Sequence, residues 1–175
     1  IGSAGADDEV LLTPPVVAEK KVFTIDVENL VSAFDSSNGK DLWETEIENK
    51  EEDINLSGGI SFYKGQLFVT TGFAQIYSLD SKTGNIIWQN DVSAPIRSSP
   101  LIYDDKVIVI TIDNQVFAFN YEDGKKIWSQ RGLLESTSVL GGATAAAYDE
   151  IILVPFSSGE IQALKASTGT ILWSD

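Results

Sequence analysis

The chain contains no cysteine and no histidine among its 175 residues. Thiol nucleophiles, Cys/His zinc sites, haem-type histidine ligands and Ser-His-Asp triads are therefore excluded, because each needs one of these side chains. Basic residues are also scarce, since 12 Lys and Arg stand against 26 Asp and Glu for a net charge of −14. Such a surface repels phosphate backbones, so the composition predicts no nucleic-acid partner.

Long apolar runs are also missing, and no stretch approaches the roughly 20 residues of a membrane-spanning helix. The chain opens with Ile1 and shows no signal-peptide pattern, so we interpret it as a fragment of a longer protein. Hydrophobic residues make up 43% of the chain and charged residues 22%, which is ordinary for a folded domain. The sequence therefore predicts a packed core rather than disorder.

What the chain does contain is a fourfold internal repeat, marked by its tryptophans at intervals of 45, 40 and 45 residues. Four residues before each tryptophan stands a glycine, and ten before it stands Ala or Ser. The residue nine positions before is Phe or Leu, and the one twelve before is Val or Ile. The tryptophans are Trp43, Trp88, Trp128 and Trp173, and the glycines are Gly39, Gly84, Gly124 and Gly169. Agreement at this many positions indicates one structural unit used four times.

Each copy predicts four short strands. A β-branched, alternating strand such as Val31–Phe34 is followed by a polar tetrad ending in glycine, which is typical of a hairpin turn with a left-handed residue. The tryptophan strand follows, and two more strands lie upstream. The predicted second strands are Lys21–Ile25, Gln66–Thr70, Lys106–Thr111 and Glu150–Val154, and the predicted first strands are Pro15–Ala18, Gly59–Tyr63, Ser99–Tyr103 and Ala143–Tyr148. Four antiparallel strands in 40 to 45 residues are typical of a β-propeller blade. We predict one all-β domain over 1–175, a partial propeller with repeats at about 15–47, 58–92, 98–132 and 141–175.

The segments Ala33–Trp43 and Ser78–Trp88 carry the pattern Ala/Ser-x-Asp-x-x-x-Gly-x-x-x-Trp. This pattern resembles the repeat of the PQQ-like propellers, a superfamily of quinoprotein dehydrogenases and their non-enzymatic relatives with tryptophan-docking blades. In the two later copies, Asn120 and Lys165 replace the aspartate. The resemblance covers nearly the whole chain.

Within that superfamily, Pro155–Leu164 and Ile96–Pro100 resemble the BamB family of alphaproteobacteria. That resemblance implies an eight-bladed ring on the periplasmic side of the outer membrane of a Gram-negative bacterium. It also implies a lipoprotein whose lipid anchor sits on an N-terminal cysteine, which this chain lacks, and a non-catalytic, protein-binding scaffold in the assembly of outer-membrane β-barrels. The implied partners are BamA-like periplasmic domains and unfolded outer-membrane proteins, and no cofactor is implied.

The crossing 129–142 between the third and fourth repeats is more apolar than a free loop requires. In the BamB family the corresponding crossing contacts BamA through a Leu-x-Leu-Arg-Gly-Glu run, which aligns with 137–142. Leu140 and Gly142 stand where the family has Arg and Glu. The predicted partner-binding residues are Leu133, Leu134, Thr137, Val139 and Leu140. The alternative is that these aliphatic side chains pack under the neighbouring blade.

We predict no catalytic, cofactor-binding or metal-binding residue. The densest acidic groups are 51–53, 104–105 and 149–150, which lie in predicted turns or crossings and read as solvated loops rather than the flanking carboxylates of a glycosidase. Asp26, Glu28 and Asn29 read as one hairpin turn rather than a calcium cage. The enzymatic alternative is a fragment of a PQQ- and calcium-dependent quinoprotein dehydrogenase. A third reading is a sensor or structural domain with an unrelated partner.

The tryptophans are predicted to be structural, because a ring at one fixed place in every repeat suits packing between neighbouring blades. Four blades in an open half ring leave two blade faces uncovered, and these would expose tryptophan and aliphatic surface. We therefore expect the rest of a longer chain to supply the missing half of the ring, and the alternative is self-association of two copies through the open blade faces.

Overall fold

A computed structural model describes residues 13–26, 28–47, 57–132 and 144–175, which form sixteen strands in four antiparallel sheets. Each sheet holds four consecutive strands in chain order, and we call these sheets blades one to four. Among the described residues, no helix is long and apolar enough to cross a membrane. The strands are β1 (Val16–Ala18), β2 (Lys21–Ile25), β3 (Leu30–Asp35), β4 (Asp41–Glu46), β5 (Ser57–Tyr63), β6 (Gln66–Thr71), β7 (Gln75–Asp80), β8 (Ile86–Asp91), β9 (Leu101–Tyr103), β10 (Lys106–Ile110), β11 (Gln115–Asn120), β12 (Lys126–Arg131), β13 (Ala146–Tyr148), β14 (Ile151–Pro155), β15 (Ile161–Lys165) and β16 (Ile171–Ser174).

The predicted all-β architecture of four four-stranded blades is confirmed. The first strands differ from their predicted bounds: β9 and β13 begin later, at Leu101 and Ala146, and β5 begins earlier, at Ser57. Strand ends are the part of an element that local sequence fixes least, because the last residues depend on pairing with a neighbour. The repeat boundaries themselves stay a prediction.

Two kinds of turn join the strands within a blade. Two-residue turns connect the first and second strands, and both residues of Asp104–Asp105 and of Lys64–Gly65 have positive φ, as a tight hairpin requires. The polar tetrads connect the third and fourth strands. Their glycines Gly39, Gly84, Gly124 and Gly169 have φ between 70° and 75°, the left-handed conformation that the sequence predicts.

The third and fourth strands of every blade share one register. The small residue ten positions before each tryptophan is its direct cross-strand partner: Ala33 faces Trp43 and Ser78 faces Trp88, and the two later blades repeat the pairing. In all four blades the register shifts immediately after the small residue. A small side chain opposite the indole leaves room for the ring to turn out of its own sheet.

The hydrophobic core lies between the blades, in three separate clusters. In β6, Leu67 and Val69 belong to the cluster shared with blade one, whereas Phe68 belongs to the cluster shared with blade three. The third cluster joins blades three and four and includes Ile108 and Ile152. Alternate residues of one strand therefore serve alternate neighbours, because successive side chains point to opposite faces of a sheet.

The burial pattern of each strand reports how many neighbours its blade has. In blade two, five consecutive residues of β6 are buried, since both faces of the sheet are covered. In blade four, β14 alternates between exposed and buried residues, which is the pattern of a sheet covered on one face only. Blades two and three are therefore interior blades, whereas blades one and four each present one face that no described residue covers.

The strand directions place the connections at two opposite ends of the blades. The two-residue turns and the glycine tetrads lie together at one end, which we call the turn end. The turns between second and third strands lie at the other end, together with the crossings that lead from one blade to the next. We call this the crossing end. Backbone hydrogen bonds join the crossing 92–100 to the second strands' ends in blades two and three. Ile96 N donates to Thr71 O (3.2 Å), and Ile112 N donates to Pro95 O (3.0 Å).

The tetrad of blade two is held by one carboxylate. Asp80 Oδ1 accepts hydrogen bonds from the backbone N–H of Lys82 and of Thr83, both at 2.9 Å, and from the Thr83 hydroxyl at 3.1 Å. In blade three, Asn120 Oδ1 accepts from the backbone N–H of Glu122 and of Asp123 in the same way. Partial burial raises the pKa of Asp80, but these hydrogen bonds outweigh it, so the pKa lies below its ordinary value.

The variant Asp80→Asn should therefore fold with nearly unchanged stability, because an amide oxygen does the same work in blade three. Asp80→Ala removes the acceptor and should lower the free energy of unfolding by about 1 kcal/mol. Because the folded pKa is lowered, the carboxylate's contribution is full above its ordinary pKa and is lost as the pH falls through the folded value. Urea titrations between neutral pH and pH 3 should show a shallower acid loss for Asp80→Asn than for the unmodified chain. Parallel pH profiles for the two proteins would contradict this account.

Candidate functional site

Three of the four indoles lie at the seams between successive blades. The indole N–H of Trp43 donates to the backbone carbonyl of Ser81 in the next blade at 3.1 Å. Trp88 donates to Tyr121 O at 2.9 Å and Trp128 to Ala166 O at 3.0 Å. The acceptor is always the residue seven positions before the next tryptophan, at the start of its tetrad. Each seam is therefore fastened from the fourth strand of one blade to the tetrad of the following blade.

The tetrad glycines receive the face of the preceding indole. A Cβ placed on Gly124 would lie 2.6 Å from Trp88 Cδ2, and one on Gly169 would lie 2.6 Å from Trp128 Cδ2. Gly84 meets Trp43 in the same way, with the nearest ring carbon at 2.6 Å. The sequence identifies these glycines as turn residues only. The structure adds that any side chain there would collide with the neighbouring ring.

Aromatic side chains enclose the indole of the middle seam. The Trp88 ring lies 5.9 Å from Phe68 of its own blade and 6.4 Å from Phe119 of the next, measured between ring centroids. Burial of a ring of this size is worth about 3–5 kcal/mol relative to alanine. Two residues beyond the tryptophans, Thr45 Oγ1 and Asn90 Nδ2 each donate to the carbonyl of the next tetrad glycine at 2.8 Å.

Tyrosine side chains form a second set of contacts between neighbouring blades, at the turn end. In the seam between blades two and three, the Tyr63 hydroxyl donates to Asp105 Oδ1 at 2.9 Å and Lys64 Nζ forms an ion pair with the same atom at 2.7 Å. The Lys64 ammonium also lies over the Tyr121 ring, 4.9 Å from its centroid. In the next seam the Tyr103 hydroxyl donates to Asp149 O. The hydrogen bonds from Lys64 and then from Tyr63 hold the pKa of Asp105 below its ordinary value, and the bond to Asp105 raises the pKa of Lys64.

Blade four presents a face that no described residue covers, and we call it the trailing face. Leu153, Ile161 and Trp173 are 38%, 43% and 50% exposed. Their counterparts in the interior blades, such as Phe68 and Ile76, are 0% exposed. Tyr148 corresponds to Tyr63 and Tyr103 but is 85% exposed. The trailing face thus carries the indole, the aliphatic side chains and the tyrosine of a complete seam.

Blade one presents the opposite half of a seam, and we call it the leading face. Val22 and Phe34 are partly exposed here, whereas their counterparts in the following blades are buried. A Cβ on Gly39 would meet nothing within 4 Å, in contrast to the other three tetrad glycines. Ser36 is exposed and stands where Ser81, Tyr121 and Ala166 accept the indole hydrogen bonds.

The crossing end carries a different set of polar groups. Asn114 Oδ1 accepts from the backbone N–H of Ser157 at 3.1 Å and from its hydroxyl at 2.7 Å, which links blades three and four. The corresponding oxygen of blade one, Asn29 Oδ1, is buried and has no hydrogen-bond partner among the described residues, and the same holds for Arg97 Nε in the crossing 92–100. A Cβ on Gly132 would lie 2.7 Å from Phe156, so the crossing after blade three departs close against blade four.

The predicted partner-binding residues Leu133, Leu134, Thr137, Val139 and Leu140 lie outside the described residues. The same holds for the acidic group 51–53. Of the other acidic groups, Asp104 forms an ion pair with Lys106 of its own blade at 2.7 Å, whereas Asp105 forms the one with Lys64 across the seam between blades two and three.

Asp26 also serves a turn. Its Oδ1 accepts from the backbone N–H of Glu28 at 3.0 Å and of Leu30 at 2.8 Å, which agrees with the predicted hairpin turn. Within the described ranges, no three acidic side chains lie close enough together to hold a metal ion. A shallow groove of about 420 Å³ lies at the turn end, where Glu19, Phe62 and Lys82 contribute to its lining. It is open to solvent.

Four-stranded blades fastened in series by indoles define the class: a β-propeller of the tryptophan-docked type, seen here over four blades. The family described as outer membrane protein assembly factor BamB matches residues 27–175, and the chain belongs to this family.

Individual relatives agree. An uncharacterised protein of Rickettsia conorii is 29% identical over 93% of this chain and 40% of its own length. The outer membrane protein assembly factor BamB of Yersinia pestis is 26% identical over 99% of this chain and 45% of its own length. Rickettsia belongs to the Alphaproteobacteria, so its relatives fit the predicted alphaproteobacterial type. The chain thus spans less than half the length of the curated relatives it matches.

Solved structures show the same fold. BamB from Moraxella catarrhalis superposes with a TM-score of 0.82 at 24% identity, over 93% of this chain and 48% of that one. A quinohemoprotein alcohol dehydrogenase from Pseudomonas putida HK5 superposes with a TM-score of 0.74 at 19% identity, over 93% of this chain and 33% of that one. At these identities the likeness shows the fold alone.

The double role of the tetrad glycines is testable with a matched pair of variants. Gly65→Ala and Gly124→Ala both place a side chain at positive φ, 78° and 70°, so both include a left-handed strain of about 1–2 kcal/mol. Only Gly124→Ala also drives a methyl group into an indole, and it should lower the free energy of unfolding by about 2 kcal/mol more than Gly65→Ala. Chemical denaturation measures both. Equal losses would contradict the contact between Gly124 and Trp88.

Proposed function

We propose that this chain is part of a periplasmic scaffold that binds other protein subunits of the outer-membrane β-barrel assembly machinery and performs no catalysis itself. The observation that carries the proposal is the membership of residues 27–175 in the BamB family. Relatives that carry that name are outer membrane protein assembly factors. The proposal concerns which proteins this chain binds and which of its residues contact them.

The polar chemistry of the described residues supports a scaffold. The indole N–H groups at the three seams, the tetrad Asp80 and the Lys64–Asp105 pair are all engaged in holding blades or turns together. A carboxylate that is held ionised by its own turn does not supply the perturbed acid or base that catalysis needs. The polar groups at the turn end therefore stabilise the fold. This favours the crossing end as the surface that binds a partner protein.

At the crossing end, the connections vary in length, and the buried atoms Asn29 Oδ1 and Arg97 Nε have no hydrogen-bond partner within the part of the chain that the structure describes. We assign partner contact to the crossing 129–142, with Leu133, Leu134, Thr137, Val139 and Leu140 as its contact residues, as the family resemblance predicts. The described residues on either side support this, because Gly132 and Ala145 anchor the crossing beside Phe156 at this end. Aliphatic side chains such as those of this crossing suit the apolar centre of a protein interface.

A binding experiment tests this assignment. The chain should bind purified BamA-type periplasmic domains in a calorimetric titration, and Leu134→Asp combined with Leu140→Asp should weaken the affinity at least tenfold, as expected when central apolar contacts are lost. Ile87→Asp is the matched control, because Ile87 is exposed on the outer strand of blade two, away from the crossing end. Equal affinity for all three proteins would contradict the assignment, and an absence of binding by the unmodified chain would contradict the proposed function.

The enzymatic alternative has a direct test as well. Pyrroloquinoline quinone and Ca²⁺ added together should leave the tryptophan fluorescence and the melting temperature unchanged. No dye-linked oxidation of alcohols or aldoses should follow. Saturable quenching with a rise in melting temperature would show a cofactor site, because a ligand that binds only the folded state stabilises it. That result would overturn the non-catalytic part of the proposal.

A further inference from the structure

The partly buried cations of the chain follow one pattern, and Arg97 departs from it. Lys21, Lys64 and Lys106 are partly buried, and each pairs with a carboxylate, at 3.7, 2.7 and 2.7 Å between nitrogen and oxygen. An exposed cation such as Lys126 has no such need, because water solvates it. Arg97 in the crossing 92–100 is also partly buried. Within the part of the chain that the structure describes, however, it forms no ion pair and donates no hydrogen bond.

The Arg97 guanidinium has an inner nitrogen and an accessible outer edge. Its Nε is buried and has no hydrogen-bond partner among the described residues. The terminal nitrogens Nη1 and Nη2 are not buried in this way, so the outer edge is the part of the group that a second molecule can reach. Withdrawal of a charged donor from water without an acceptor costs free energy, and a carboxylate at the outer edge would recover it.

Hydrogen bonds to blade two hold the backbone on both sides of Arg97. On one side, Ile96 N donates to Thr71 O at 3.2 Å. On the other side, the Thr70 hydroxyl donates to Ser98 O at 2.8 Å. The arginine therefore projects from a fixed segment, and little backbone ordering is needed when a partner arrives.

One turn of blade three joins the crossing of Arg97 to the crossing 129–142. Ile112 N, in this turn, donates to Pro95 O of the first crossing at 3.0 Å. Gly132 N, in the second crossing, donates to Asn114 O of the same turn at 2.8 Å. Arg97 thus lies at the crossing end, beside the surface to which partner contact is assigned above.

We propose that Arg97 binds the carboxylate of an Asp or Glu side chain of the partner protein and is the charged contact of the partner-binding surface. This inference rests on the proposed function, since it names the chemistry that the same surface recognises. The outer edge of a guanidinium offers two parallel N–H groups, which match the two oxygens of a carboxylate. A charge pair of this kind fixes the orientation of the partner.

A carboxylate on a protein fits this position better than a free anion does. The net charge of −14 repels small anions and phosphate-rich surfaces. An ion pair whose two groups stay in water also contributes little by itself. The surrounding contacts of a protein interface exclude that water and place the carboxylate, whereas a free anion brings no such contacts.

The first experiment compares affinities for purified BamA-type periplasmic domains by calorimetric titration. Arg97→Gln should raise the dissociation constant at least tenfold, because the partner's carboxylate would be desolvated without its counter-charge. Arg97→Lys keeps the charge but loses the two parallel donors, so its loss should be smaller, about threefold. Lys126→Gln is the matched control, because it removes the same charge from an exposed position at the turn end. It should bind like the unmodified chain.

The second experiment measures the accessibility of Arg97 itself. Phenylglyoxal modifies accessible arginine side chains, and mass spectrometry distinguishes Arg97 from Arg131, the two arginines of the chain. Arg97 should react in the free chain and should lose most of this reactivity when the periplasmic domains are bound. Acetate or phosphate at millimolar concentration should give no protection. Protection by either anion would show a free-anion site and would overturn the assignment to a protein carboxylate.

Loss of the arginine should leave the fold intact. Because Arg97 has no acceptor among the described residues, Arg97→Gln should keep the melting temperature within about 2 °C of that of the unmodified chain. A larger fall, or an Arg97 that phenylglyoxal does not modify in the free chain, would mean that an internal carboxylate pairs with the guanidinium. Either result would contradict a role in partner binding.

Failure of this inference is distinguishable from failure of the scaffold function. If the unmodified chain binds the periplasmic domains and Arg97→Gln binds equally well, the role of Arg97 is wrong and the scaffold function stands. If the unmodified chain does not bind, both are wrong. If Arg97→Gln weakens binding but Leu134→Asp combined with Leu140→Asp does not, the role of Arg97 stands and the contact residues of the crossing 129–142 are wrong.

Discussion

The docking of an indole on the glycine tetrad of the next blade is the interaction on which the rest of the molecule depends. A single four-stranded sheet cannot bury both of its faces, and each cluster of the core needs two blades to exist. The indole joins those blades by three means at once: its N–H meets a carbonyl, its face covers a glycine, and its edge packs among aromatic or aliphatic side chains. The tyrosine and lysine contacts at the turn end add to this joint but do not replace it.

This dependence explains why so much of the fold is visible in the sequence. Each joint places the same demands on the same positions, so tryptophan, glycine and a small residue recur at fixed offsets. The repeat therefore predicts blade number, strand order and the left-handed turns. The residue opposite each tryptophan is small for a reason that the sequence suggests, namely room for the ring.

Other features could not be predicted from the sequence because they arise from contacts between blades. The second role of Gly124, the contact of Tyr63 with Asp105 and the link from Asn114 to Ser157 all join residues about 30 to 45 positions apart. Tyrosines do recur 25 positions before three of the tryptophans, and that spacing was the available signal. The bounds of β9 and β13 differ from their predictions because each forms only three residue pairs with the second strand, although β10 and β14 each continue two residues further.

The main-chain nature of the indole acceptor has a consequence for how such a molecule arises. Ser81, Tyr121 and Ala166 accept the same hydrogen bond although their side chains have nothing in common. The joint thus recognises backbone geometry and not the identity of the residue beneath it. This one hydrogen bond therefore survives substitution of the acceptor residue, so after gene duplication that position can diverge between blades without a matching change in the tryptophan.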